Sequence, residues 1–311
     1  MAVPSGCRVE SFGARDAEKK VLILDHHGAT WEAFTQAYAS YLADFTPEEL
    51  AALKDYCNYH RDNFVPEMAR EVAEQILKMQ EGVRVDIFSV VDIPRAIVDS
   101  NRVNFEGERP AFPPHIAEKF EHMRDQFKQF HFDVQEYLKA QVGEYDLVLD
   151  LHSMNGSDLN KKGKEEELSA MKEKDFTKRL KRLVDVGTKD IFQGIERRNN
   201  FFEKDGRGEV VGSPAFNASL MKYFERKGFK TRKDKPYHFL SLIFSTRIAK
   251  LMKKLGKPYA PIDVNVADIA EAREGEDEAM VHLDPILDRK KMERMCHAIA
   301  SAICDTLKAA E

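Results

Sequence analysis

The chain has 311 residues, 43% hydrophobic and 32% charged, the composition of an ordinary globular protein long enough for a sizeable core. Lys plus Arg is 48 against 53 Asp plus Glu, a formal charge of −5, which does not fit the basic stripe of a nucleic-acid binder. No apolar run approaches the roughly 18 residues of a membrane span, the start MAVPSGCRVESFGARD lacks the apolar core of a signal peptide, and Cys7, Cys57, Cys296 and Cys304 form no CxxC pair.

These features lead us to expect a cytoplasmic enzyme with reduced thiols, no nucleic-acid partner and no membrane; composition leaves homo-oligomerisation open. In chain order, VLILD (21–25) reads as a buried strand. TPEEL opens a helix near residue 47 through a capping box, with Thr46 as N-cap and Glu49 three residues on. In NFVPEMAREVAEQILKMQEG (63–82), Val65, Met68, Val72, Ile76 and Met79 recur at helical spacing and Gly82 stops the helix. VRVDIFSVV (83–91) reads as a strand, and RAIVDSN (95–101) as another. Residues 114–141 are helical, with Phe120, Met123, Phe127, Phe130 and Val134 along one side.

YDLVLDLHS (145–153) is a second strong strand with a polar end. The stretch 156–183 is charge-dense, and Leu168, Met171, Leu180 and Leu183 give it a thin apolar stripe suited to a surface helix. EKDGRGE (203–209) is a loop. Helices are expected at 216–229, 246–258 and about 285–308, and a strand at YAPIDVNV (259–266). Strands alternating with helices predict an α/β fold with a largely parallel sheet, in which function gathers at the carboxyl ends of the strands. No Pro/Gly linker divides the chain, so one domain spanning 1–311 is expected, carrying a charged insertion at about 156–210.

DHHG (25–28) and DLHS (150–153) each end a strand in histidine beside aspartate. Zinc takes imidazoles and carboxylates and leaves a catalytic position open, so His26 and His152 with one acid would make three protein ligands. Asp25 or Asp150 could orient an imidazole from behind. Satisfied polar groups at strand ends are the alternative. Asn101 and Arg102, ending RAIVDSNR, offer an amide and a guanidinium fork to a carboxylate, unless Arg102 simply pairs with Asp99. Asp263, between apolar residues in PIDVNV, is either a general base or a buried structural aspartate.

Together these pieces resemble the N-formylglutamate amidohydrolase family, itself similar to zinc carboxypeptidases and aspartoacylase-like hydrolases. DHHGAT matches its opening His-x-Gly turn through His26. RDNFVPEMA supplies its Asp as Asp62, RAIVDSNR its Arg-x-x-x-Asp-x-Asn-Arg run (Arg95, Asp99, Asn101, Arg102), and DLHSM its His152 and Ser153. Arg124, His131, the Gly187–Thr188 step and Arg247 of FSTRIA fit more loosely, and Asp263 stands where the family has Glu.

The resemblance covers about residues 20–270. It implies a single three-layer domain with a central mixed, largely parallel sheet flanked by helices, as in zinc carboxypeptidases and the phosphorylase/hydrolase-like folds. It implies Zn2+ held by His26, Asp62 and His152, with Glu32 the alternative acid and His27 left to substrate contact or packing. Asp263 becomes the general base, Arg95 or Arg124 the oxyanion cation, and Asn101, Arg102, Arg247, His131 and Ser153 the surroundings of a substrate bearing carboxylates. The implied reaction is hydrolysis of an N-acyl acidic amino acid, N-formyl-L-glutamate first. The charged insertion begins beside the DLHS strand end, where a lid would start.

Overall fold

Seven strands form one mixed sheet in the order β1 (Cys7–Phe12), β3 (Val83–Val90), β2 (Lys19–Asp25), β4 (Leu147–Met154), β7 (Tyr259–Asn265), β5 (Asn199–Phe201), β6 (Thr231–Lys233). The computed structural model describes residues 1–107, 109–154, 161–190, 198–234, 243–271 and 285–309. The four central strands, β3, β2, β4 and β7, are mutually parallel. Both of their faces are buried, which is why they read as near-continuous apolar runs. β1 runs antiparallel along β3. At the other edge β5 runs antiparallel to β7 and parallel to β6.

Strand alternation divides the core between the two faces. Val21, Ile23, Leu149, Leu151, Ile262 and Val264 pack against α3 (Val65–Met79), α8 (Pro214–Arg226) and α10 (Arg289–Lys308). Leu22, Leu24, Phe88, Val148 and Tyr259 share the opposite core with α1 (Trp31–Ala37), α2 (Pro47–His60), α4 (Pro114–Phe120), α5 (Arg124–Gln141) and α9 (Phe244–Lys254). The result is the three-layer α/β arrangement expected, with a mixed and largely parallel sheet. The capping box of α2 forms as read: Thr46 Oγ1 accepts from Glu49 N, and Glu49 Oε2 accepts from Thr46 N.

Two expectations are corrected. Residues 95–101 form no strand. After Pro94 the chain turns, Ile97 N and Val98 N both donate to Pro94 O, and Asp99 N donates to Ala111 O. Its apolar residues Ala96, Ile97 and Val98 fill the core beside the sheet without a neighbouring strand to pair with. The charged stretch is two helices, α6 (Lys161–Met171) and α7 (Phe176–Asp190). α7 buries Leu180, Leu183 and Val184 in the core it shares with α2. Residues 156–160 and 191–197 of the expected insertion lie outside the described residues. Among the described residues, no helix is long and apolar enough to cross a membrane.

Candidate metal centre

β2 ends at Asp25 and the chain bends through His26, His27 and Gly28. Two bonds tie this bend to the link between α2 and α3: Asp62 N donates to His27 O (3.2 Å) and Arg61 Nε to Gly28 O (3.2 Å). Asp62 is thereby held under the carboxyl ends of β2 and β4. Phe64, two residues on, takes φ +64°, a left-handed conformation that costs a non-glycine residue about 1–2 kcal/mol.

His27 Nδ1 lies 3.1 Å from Asp62 Oδ2, and His152 Nδ1 lies 2.9 Å from the same oxygen. All three residues are buried, and together they form a group able to hold a metal ion. The far side of each imidazole meets a further carboxylate: His27 Nε2 is 2.8 Å from Asp99 Oδ1, and His152 Nε2 is 3.0 Å from Asp150 Oδ1. An imidazole that binds a metal through Nδ1 keeps its proton on Nε2, the side that here faces the outer acid, and turns the Nδ1 lone pair toward the Asp62 oxygen. Three electron-rich atoms then converge, and a cation or an added proton must stand among them. Ligand atoms around tetrahedral zinc stand roughly 3.3 Å apart, close to the separations found here. The donor set and the outer carboxylates fit a metal.

Without a metal the added proton falls on His152, whose pKa, against the effect of burial, Asp150 and Asp62 raise well above its usual value. Burial opposes ionisation of Asp62, but His27, His152 and Arg95 outweigh it and hold the carboxyl well below its usual range. Burial likewise opposes the charges on Asp99 and Asp150; His27, Arg95 and Arg102 keep the first ionised, and His152, His26 and Ser245 the second. Asp150 is itself fixed from behind, since Oδ2 accepts from Tyr259 Oη (2.6 Å) and from Ser245 Oγ. Asn101 Oδ1 accepts from Ser245 N (2.8 Å).

The sequence reading gave the ligand position to His26 and left His27 to substrate contact or packing; among the described residues it is His27 that groups with Asp62 and His152. His26 continues the alternation of β2 and tucks beneath the site, with Nδ1 3.3 Å from Ser100 Oγ and Nε2 3.8 Å from Asp150 Oδ1. The bend after Asp25 swings His27 to Asp62 instead. Glu32, the alternative acid, is exposed on α1 and faces Lys54.

Arg95 is at the centre, donating from Nη1 to Asp62 Oδ1 (3.2 Å) and from Nη2 to Asp99 Oδ2 (3.4 Å). Arg102 Nε donates to Asp99 Oδ2 (3.2 Å), so the pairing weighed for it exists, although a quarter of its side chain stays exposed. Asn101 is spent on α9 through Ser245. His131 Nε2 lies 2.8 Å from the Arg102 carbonyl and so helps to hold that segment. Arg124 lies at the surface, paired with Glu106 and Glu121. Arg247 is exposed on α9, where Ser245 and Thr246 take the buried positions. Ser153 is buried, but alternation along β4 sends it to the opposite face from His152, with Leu149 and Leu151.

Asp263 pairs with His152 across β4 and β7 and shares its face. Burial pushes its carboxyl up to about 6, aided by Asp62 and Asp150 and opposed by His152 and Arg95.

No protein-family model and no curated protein matches the chain. A solved structure, N-formylglutamate amidohydrolase from Ralstonia eutropha JMP134, is similar to it. The identity is 14%, the alignment covers 97% of this chain and 99% of that one, and the TM-score is 0.54. At that identity the likeness establishes the fold. A gene product of Agrobacterium tumefaciens (13% identity, 97% and 95% covered, TM-score 0.47) and a bacteriophage poly-gamma-glutamate hydrolase (9%, 99% and 93%, 0.37) superpose more loosely.

Proposed function

We propose that the chain is a zinc-dependent amidohydrolase acting on N-acyl amino acids, with the metal held by His27, Asp62 and His152. The observation that carries this reading is the pair of imidazoles, each braced by a carboxylate at Nε2 and aimed by Nδ1 at one oxygen of Asp62. When bound, zinc supplies Lewis acidity toward a carbonyl and acidifies water.

The chain's own groups do the remainder. Asp99 and Asp150 hold the two imidazoles in the tautomer that presents Nδ1. Asp263, beside His152, takes a proton from the attacking water and returns it to the leaving amine; a carboxyl raised to about 6 suits both transfers near neutral pH. Arg95, part-exposed while anchored to Asp62 and Asp99, turns its remaining N–H groups to the oxygen that gains charge as the carbonyl becomes tetrahedral. Arg102 offers its free N–H groups to a substrate carboxylate. Two part-exposed guanidinium groups suit a small molecule bearing carboxylates, even in a protein of net charge −5. N-Formyl-L-glutamate, giving formate and glutamate, is the reference substrate. We take the 311 residues as one cytoplasmic hydrolase domain to which the segment around 156–210 is an addition.

The test is metal content followed by a substrate screen. We expect about one zinc per chain, removed by His27→Ala and by His152→Ala, and hydrolysis of N-acyl amino acids by the loaded protein. Protein that takes up no zinc when it is supplied sinks the reading. Asp263, one methylene shorter than the Glu of the resembling family, favours a second reading, a non-catalytic binder of small acids; zinc uptake without hydrolysis of any N-acyl amino acid would select it.

A further inference from the structure

A cavity of about 370 Å3 lies between α2, the start of α4, and the α6–α7 pair. Its wall on α2 is Tyr56, Tyr59 and His60, and His115 of α4 closes the end. These four rings meet edge to face: Tyr56–His60 at 4.5 Å and 71°, Tyr59–His60 at 5.0 Å and 75°, Tyr56–His115 at 5.5 Å and 81°. Tyr56 Oη and His115 Nε2, 2.9 Å apart, lock two of them. Leu183 of α7 and Met171 of α6 supply apolar cover, Met171 from a part-exposed position at the rim.

Among the described residues no lysine or arginine lines the cavity and Glu167 is the one carboxylate, half-buried with its pKa raised by burial. Burial also keeps His115 neutral. The lining therefore suits an uncharged aromatic ring, which gains from edge-to-face contacts; any carboxylate carried by the ring must point out of the box.

The cavity adjoins the metal centre. α2 ends at His60 and the metal ligand Asp62 follows two residues later. A substrate with its scissile amide at the centre and its carboxylate on an arginine would have this box within reach of its acyl side. A formyl group cannot fill it: benzene is accommodated in a cavity of about 150 Å3.

We infer that the Tyr56–Tyr59–His60–His115 box is an acyl subsite for an aromatic ring, making the preferred substrate an N-arylacyl amino acid. This rests on the amidohydrolase reading and names its acyl group. The reaction breaks the acyl C–N bond; hydroxide from water joins the acyl carbon, the water's other proton goes to the amine, and an arylcarboxylic acid and an amino acid leave.

The experiment compares N-acetyl-L-glutamate with N-phenylacetyl-L-glutamate on the zinc-loaded full chain, and titrates phenylacetate alone by ligand-observed NMR. Burying the ring should raise kcat/KM about 10–100-fold over the acetyl compound. Met171→Trp, which fills the box from its rim, should collapse that ratio toward one and weaken phenylacetate binding; Val186→Phe, from α7, serves if the first variant melts early. Equal rates for the two compounds in the native protein overturn the subsite while leaving amide hydrolysis intact. If neither compound is hydrolysed, the amidohydrolase reading is what fails, and phenylacetate decides the box: binding that Met171→Trp weakens supports an aromatic site, and no binding overturns it.

Discussion

Asp99→Asn separates a metal centre from a buried ion-pair network. In the native protein Asp99 Oδ1 takes His27 Nε2 at 2.8 Å and Asn101 N at 3.0 Å, while Oδ2 takes Arg102 Nε at 3.2 Å and Arg95 Nη2 at 3.4 Å. An asparagine of the same shape keeps its carbonyl on the first pair and turns an NH2 toward two guanidinium groups. Two charge-assisted bonds are lost, and because both arginines are about a quarter exposed the expected destabilisation is modest, about 1–3 kcal/mol. The metal effect is separate. Without a carboxylate behind it, His27 is a weaker donor, and removing such an outer partner costs about 10–100-fold in affinity, or about 1.4–2.7 kcal/mol. Competition for zinc against a chromogenic chelator measures the second quantity, and thermal melting of the metal-free protein the first. A folded Asp99→Asn protein whose zinc affinity stays within about twofold of native would refute the account of His27 as a carboxylate-braced ligand.

Other expectations follow from the same geometry. His26→Ala should retain zinc at the native stoichiometry while His27→Ala loses it, checked by elemental analysis; the opposite outcome would restore the motif-based assignment. Tyr259→Phe removes one of two donors to Asp150 Oδ2, and should lower zinc affinity about tenfold without abolishing binding. Arg124→Ala should leave kcat/KM within about twofold, because its partners are exposed acids. His115 is buried, and its pKa falls from 6.5 to about 4. The unfolded chain therefore binds the extra proton between those values, so the contribution of His115, about 3 kcal/mol at most, is full above pH 6.5 and is lost as pH falls toward 4. Denaturant midpoints across that window should drop less steeply in His115→Gln than in the native protein.

The strands and the longer helices were legible because burial on both faces leaves an unmistakable apolar run, and a helix on the sheet leaves a stripe at 3.6 residues. RAIVDSN misled for the same reason: Ala96, Ile97 and Val98 are as buried as strand residues, and nothing in their pattern says that Pro94 starts a turn. Asp62 had no local signal at all, sitting in a polar link between helices, and only the family resemblance pointed to it. The histidine that groups with Asp62 and His152 is the neighbour of the one the motif favoured. Alternation favours His26 as long as the strand continues, and the sequence does not say that β2 stops at Asp25. The arginines divide by what they find nearby: Arg95 and Arg102 meet Asp99 four residues and three residues away, whereas Arg124 meets surface acids. Ser245 and Tyr259 were not singled out, because they act through a carboxylate that lies far from them in sequence.

Gly28 shapes the bend that follows β2. Its φ is not positive, so backbone freedom is not the reason for a glycine here. The reason is room: a Cβ at this position would stand 2.5 Å from Asp25 Oδ2 and 2.6 Å from Pro66 Cγ. Asp25 is wholly buried and its pKa is pushed up to about 6, chiefly by that burial and next by Asp62, so it has no solvent to retreat into. Pro66 is fixed in the first turn of α3. Gly28→Ala must therefore move the bend, and the bend carries both His27 and the carbonyls that receive Asp62 N and Arg61 Nε. Overpacking of this kind costs about 1–3 kcal/mol of stability. A backbone shift at His27 should also weaken zinc more than a substitution of equal stability cost in the α3–α10 packing, such as Ile76→Val. If Gly28→Ala loses stability but binds zinc as tightly as Ile76→Val, the bend serves the fold alone, and His27 is not held at the centre by it.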